Sequence, residues 1–180
     1  MRVISGNCRG RKLVEIQGRR IRPTSDRVRE AVFNILGQKV RKARVLDLFA
    51  GTGALGIEAL SRGAIHTTFI DLDCAIIHEN LKRCHFEKKA IVICHDIIKD
   101  TIPQSLNGQL FDLVFIDPPY EKGYIEKTLQ KELFADLLAK DCIIIAEQSS
   151  KENLQIELSP LDIYRKKKYS KTIISFINKI

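Results

Sequence analysis

The stretch DLFAGTGALG, Asp47 to Gly56, decides the fold. It contains a complete G-x-G-x-x-G at Gly51, Gly53 and Gly56, preceded by the apolar run RVLDLF and followed by the helix-like IEALSRG. A strand that turns on glycines into a helix is the first unit of a doubly wound α/β sheet. Gly51 and Gly53 let the backbone turn sharply and approach a ligand, while the next helix aims free N–H groups at it. Asp71, twenty residues after Gly51, closes the second strand and can accept hydrogen bonds from a ribose diol.

Outward from this turn the pattern alternates. Apolar runs of strand length occur at 44–49, 67–71, 90–94, 111–117 and 142–147, with helix-like segments near 54–62, 74–86, 97–106 and 121–139. Strands that are apolar throughout and separated by helices predict a parallel sheet covered on both faces. The tail DIYRKKKYSKTIISFI reads as two extended runs around a basic cluster, an antiparallel pair closing the sheet. Before residue 44, RVIS and RKLVE flank GNCRG as a small hairpin. RPTSDRVREAVFNIL then reads as a capped helix with Val28, Ala31, Val32, Ile35 and Leu36 on its apolar side, ended by Gly37. The expected division is a hairpin–helix extension over 1–43 and a Rossmann-like domain over 44–180.

Composition narrows the partners. Residues 1–44 hold thirteen Lys and Arg against three Asp and Glu, a net +10, whereas the other 136 residues balance to −2. A basic arm on a near-neutral body predicts a polyanion partner, nucleic acid above all. No apolar stretch reaches the roughly 18 residues of a membrane helix, and MRVISGNCRG lacks the apolar core of a signal peptide. Five cysteines without C-x-x-C predict reduced thiols in a cytoplasm. Cys74 with His78, and Cys94 with His95, lack the remaining spacings of a zinc site, so no metal is expected.

Two carboxylates decide what the glycines hold. Asp47 ends the first strand four residues before Gly51, where a pyrophosphate site gains nothing from a negative charge. Unit charges about 4 Å apart interact by roughly 4 kcal/mol at an effective dielectric of 20. Such a charge repels pyrophosphate and attracts the ammonium and sulfonium of S-adenosylmethionine rather than NAD. Asp96, after the third strand, can reach an adenine amino group. The second constellation is DPPY, Asp117 to Tyr120, directly after FDLVFI. In a doubly wound sheet the fourth strand neighbours the first, which brings Asp117 and Asp47 to one crevice. Pro118 and Pro119 stiffen the loop and remove two donors. Asp117 and the Pro118 carbonyl can then accept both hydrogens of an exocyclic amine while Tyr120 offers a stacking face.

DLFAGTGALGIEALSRGA together with FIDPPY resembles a class I S-adenosylmethionine-dependent methyltransferase acting on exocyclic amino nitrogen. With RVISGNCRGRKL, RPTSDRVREAVFNIL and IDLD, nearly the full chain resembles the bacterial 16S ribosomal RNA guanine-N2 methyltransferases, the ribosomal small subunit methyltransferase D family. The resemblance implies a mostly parallel seven-stranded sheet with an antiparallel last strand. It implies a cofactor site at Asp47, Phe49, Gly51, Gly53, Asp71, Asp96 and Asp117, and a base grip at Asp117, Pro118, Pro119 and Tyr120. Arg22, Thr24 and Arg29 would lie near the cofactor or RNA entrance, and Arg9, Arg11, Lys12 and Arg27 join them as expected RNA contacts. The implied partner is 16S rRNA within a small-subunit assembly particle, bound by a monomer with no membrane attachment. Asp71 stands where the family more often has Glu, and Ser170 where a Gly is usual. The rival readings are an adenine-N6 DNA methyltransferase, which would bring a separate target-reading segment, and a non-catalytic RNA-binding assembly factor.

Overall fold

A computed structural model describes residues 1–15, 25–156 and 160–179. Seven strands form one sheet: β1 (Arg44–Leu48), β2 (His66–Asp71), β3 (Ala90–Cys94), β4 (Phe111–Ile116), β5 (Leu138–Ser149), β6 (Leu161–Tyr169) and β7 (Thr172–Lys179). Their order is β3-β2-β1-β4-β5-β7-β6, so the chain leaves β1 in one direction and returns through β4 on its other side. β1 through β5 are parallel, and β7 runs antiparallel between β5 and β6. The parallel part is what the alternating pattern predicts, and the antiparallel last strand is what the tail's two runs and the family resemblance imply.

The helices are α1 (Asp26–Leu36), α2 (Ala54–Ser61), α3 (Ala75–Cys84) and α4 (Tyr124–Leu129). One apolar cluster joins α1, α2 and α3 to the sheet face bearing Val45, Phe69, Leu113, Phe115, Ile145 and Phe176. A second fills the other face around Leu46, Ile70, Val114, Ile116, Ile144 and Ile177. No helix among the described residues is long and apolar enough to cross a membrane.

Three expectations need correction. The segment 97–106 forms no α-helix; only Gln104–Leu106 makes a 3₁₀ turn, after Pro103. Its buried Ile97, Ile102 and Leu106 fill the core from an irregular path. The segment 121–139 is helical only over Tyr124–Leu129; Leu133 then takes φ 66° and β5 begins at Leu138, earlier than the apolar run suggests. Cys74 and Cys94 are joined as a disulfide with Cα atoms 5.8 Å apart, while Cys8, Cys84 and Cys142 are free. The pairing of Asp71 with Cys94 across β2 and β3 brings the start of α3 over the end of β3.

The first fifteen residues form the expected small hairpin: Arg2 bridges Lys12, Val3 N–H donates to the Arg11 carbonyl at 3.0 Å, Gly10 N–H to the Val3 carbonyl at 2.9 Å and Leu13 N–H to the Met1 carbonyl at 3.2 Å. Other backbone groups of the hairpin go to side chains of the body. Buried Glu58 accepts from the N–H groups of Ile4 at 2.7 Å and Ser5 at 3.0 Å, and from Arg62 Nε at 2.7 Å. Ser61 Oγ accepts from Cys8 N–H at 2.9 Å and donates to the Ser5 carbonyl at 2.6 Å. Val3 and Leu13 share the apolar cluster of α1. Ser25 caps α1, its hydroxyl oxygen accepting from Val28 N–H at 3.3 Å, and Gly37 ends the helix at φ 52°.

Candidate functional site

β1 and β4 are adjacent, with Asp47 opposite Phe115 and Leu48 opposite Ile116. The loops after both strands therefore open at the carboxyl edge of the sheet, at its switch point. On the β1 side, Gly51 and Gly53 take φ 55° and 74°, and Gly53 opens α2. The third glycine serves packing. A Cβ on Gly56 would lie 2.3 Å from the Phe69 ring, so only glycine lets α2 approach β2 so closely.

Carboxylates surround this turn. Asp71 Oδ2 accepts from Gly51 N–H at 2.7 Å and Oδ1 from Asp73 N–H at 3.1 Å, which holds the glycine loop against β2. Asp47 is 1% exposed, and its Oδ2 accepts from Gly56 N–H at 2.8 Å. Burial pushes its carboxyl up to about 8, opposed by the Gly56 N–H bond and reinforced by the Asp71 charge. A cation beside Asp47 favours its ionised form. Asp96 Oδ1 accepts from the N–H groups of Ile98 at 3.0 Å and Lys99 at 3.1 Å. The Lys99 N–H bond is the largest influence holding this carboxyl below its usual range. Asp96 thus shapes the turn that follows β3.

On the β4 side, Asp117 is half-buried, Pro118 buried, and Pro119 and Tyr120 exposed. Tyr120 is fixed by its hydroxyl, which donates to Glu147 Oε1 at 2.7 Å and lies 3.1 Å from Thr172 Oγ1. Burial, then the Glu147 charge, raises this phenol far above its ordinary value, so it stays a donor. The ring, 38% exposed, keeps surface free for a flat partner. Phe49, at φ 57°, stacks on Tyr124 with centroids 6.2 Å apart and planes 9° from parallel. That contact couples the glycine turn to α4.

Sequence reasoning did not find Glu147, Thr172, Tyr124 or Asn80. Asn80 on α3 is fully buried. Its Oδ1 accepts from Val14 N–H at 2.7 Å, and its Nδ2 donates to the carbonyls of Val14 at 3.1 Å and Thr52 at 2.9 Å. One side chain so joins the arm to the glycine turn. A fully apolar strand ending in Glu was the signal for Glu147; nothing local marks Asn80.

Of the expected RNA contacts, Arg9, Arg11, Lys12 and Arg27 are exposed. Arg22 and Thr24 lie outside the described residues. Arg29 is a correction: it is 0% exposed, and its Nη2 donates to the Arg2 carbonyl and to Asp26 Oδ1. Its place beside Val28 and four residues before Phe33 turns it inward. Arg29 is a buried tie between α1 and the arm rather than a surface contact.

This sheet order, with a glycine turn after β1 and a DPPY loop after its neighbour β4, is that of the class I methyltransferases. The family described as conserved hypothetical protein 95 matches residues 1–178. YlbH of Bacillus subtilis (strain 168) is 37% identical over 182 residues, covering 99% of this chain and 99% of its own. Ribosomal RNA small subunit methyltransferase D of Escherichia coli (strain K12) is 34% identical over 168 residues, covering 93% of this chain and 84% of its own. The solved structure of yhhF from Escherichia coli has a TM-score of 0.83 at 34% identity, covering 99% of this chain and 97% of that one. The chain belongs to this family, that of ribosomal RNA small subunit methyltransferase D.

Proposed function

We propose that the chain transfers a methyl group from S-adenosylmethionine to the exocyclic N2 of a guanine in 16S rRNA. In this reading it acts as a monomer in the cytoplasm on a small-subunit assembly particle. The observation that carries the proposal is the adjacency of β1 and β4, whose carboxyl ends lead into the glycine turn, with Asp47 and Asp71 bonded to it, and into Asp117-Pro118-Pro119-Tyr120. The donor set fits the cofactor. Buried and half-buried carboxylates suit a ligand bearing ammonium and sulfonium, and they oppose a pyrophosphate. Asp71 stands where ribose hydroxyls would replace or join its present contacts, and Phe49 and Asp96 border the adenosine end.

When bound, S-adenosylmethionine supplies an electrophilic methyl. The chain's task is to present the amine. Asp117 and the Pro118 carbonyl accept the two N2 hydrogens, favouring the pyramidal nitrogen whose lone pair is free. Pro118 and Pro119 carry no N–H to compete for that nitrogen. The Tyr120 ring, held by Glu147, gives the base a face to stack on, and positioning does much of the work. The guanine must leave its stack to reach the crevice, so an unpaired or loop nucleotide is the substrate.

The test offers labelled S-adenosylmethionine with 16S rRNA, small-subunit particles or duplex DNA as acceptor, followed by digestion to nucleosides. Label in N2-methylguanosine supports the proposal. Label only in N6-methyladenosine, or no transfer to any acceptor, overturns it.

A further inference from the structure

β6 carries Arg165, Lys166, Lys167 and Lys168 in succession, and the turn into β7 adds Lys171, all five exposed. Residues 161–172 hold five basic side chains against one acidic, a net +4 outside the arm. β6 is antiparallel to β7, which is antiparallel to β5, so β6 points the same way as β4 and β5. Its last residues therefore reach the sheet edge at which Asp117 and Glu147 lie. The contact of Tyr120 with Thr172, the first residue of β7, sets this turn beside the DPPY loop.

Edge strands use lysines to block pairing with other chains. That explanation does not fix which half of the edge is charged. Here the half remote from the crevice is Leu161, Asp162 and Ile163, and the cations crowd the half beside it. Lys166 is occupied, its Nζ donating to the Leu154 carbonyl at 3.1 Å. Arg165, Lys167, Lys168 and Lys171 make no ion pair among the described residues.

We propose that the β6–β7 hairpin is a second RNA-docking element, in which Arg165, Lys167, Lys168 and Lys171 hold phosphates flanking the nucleotide presented to Tyr120. The proposal rests on the rRNA reading above and adds a surface remote from the arm. Each phosphate contact adds roughly 0.7–0.9 to the slope of log affinity against log salt. The variant Arg165→Gln/Lys167→Gln/Lys168→Gln keeps the edge polar and leaves Lys166 in place. It should retain the parent's melting temperature and affinity for S-adenosylhomocysteine. Its affinity for 16S rRNA at about 0.1 M salt should fall at least tenfold, with the slope flattened by about two units.

A second variant, Lys168→Gln/Lys171→Gln, leaves Arg165 to Lys167 charged along the edge. It should flatten the slope by about one to two units even if the first variant aggregates. If the parent binds rRNA and the second variant matches its affinity and slope, the hairpin is not a docking element and its lysines only protect the edge. If the parent itself binds no rRNA, the rRNA reading has failed, and this proposal with it.

Discussion

Asn80→Ala cuts the side chain that holds both Val14 and Thr52. Three hydrogen bonds of 2.7, 2.9 and 3.1 Å disappear, leaving one N–H and two carbonyls to find water. A fully buried group left unpaired costs about 1–3 kcal/mol. These bonds are partly buried, so the low end applies, about 1 kcal/mol each and about 3 kcal/mol in sum. For a chain of this length each kcal/mol lowers the melting temperature by about 2–4 °C, so a fall of about 6–12 °C is expected. Asn80→Asp keeps the shape and the acceptor for Val14 but sets a buried charge against two carbonyls, and it should be at least as harmful. Because Thr52 belongs to the glycine turn, both variants should also weaken S-adenosylhomocysteine binding. Thermal unfolding with and without that ligand measures both effects. A melting temperature within about 1–2 °C of the parent for Asn80→Asp would refute the reasoning.

Asp117→Ala should lower methyl transfer by about two to three orders of magnitude, as for loss of one preorganised polar group, with S-adenosylhomocysteine affinity nearly unchanged; near-normal turnover removes Asp117 from the base grip. Replacing Arg9, Arg11 and Lys12 with Ala should flatten the salt dependence of RNA affinity by about two units, at most three, read by filter binding across a salt series. Stability should also depend on pH through Asp47. Its carboxyl has a folded value of about 8 against an ordinary 3.8, so its contribution to stability is complete below 3.8 and is lost as pH rises toward 8. Asp47→Asn, which still accepts from Gly56, should melt with a flatter profile between about pH 4 and 8, and parallel profiles for parent and variant would count against this assignment.

The core of the fold was legible because its signals are local and mutually consistent. Apolar runs such as AIVIC and FDLVFI form β3 and β4 as read, and the glycine turn stands between β1 and α2. The failures share a cause in tertiary partners. Ile97, Ile102 and Leu106 carry an apolar pattern that satisfies the core without a helix, and Pro103, which has no N–H to donate, stands inside the segment. The arm's two runs pair as read, but nothing local announces that Glu58, Ser61 and Asn80 fasten other backbone groups of the arm to the body. Arg29 was counted as surface charge because the count ignores helical position. Ser170 shows the opposite case: at φ 56° it occupies a turn position where glycine is at ease, as the departure from the family pattern suggested.

The position of β7 has a consequence for how the molecule is made. It is the last strand in sequence, yet it lies between β5 and β6, with Ile174, Phe176 and Ile177 fully sealed in the two cores. During synthesis the first five strands can collect in order, but the outer side of β5 stays open until residues beyond Thr172 emerge. A nascent chain stalled before that point presents the long run CIIIAE with a row of unpaired backbone groups, a template for sticking to its neighbours. Completion of the sheet therefore waits for β7, which docks beside β5 and carries β6 with it.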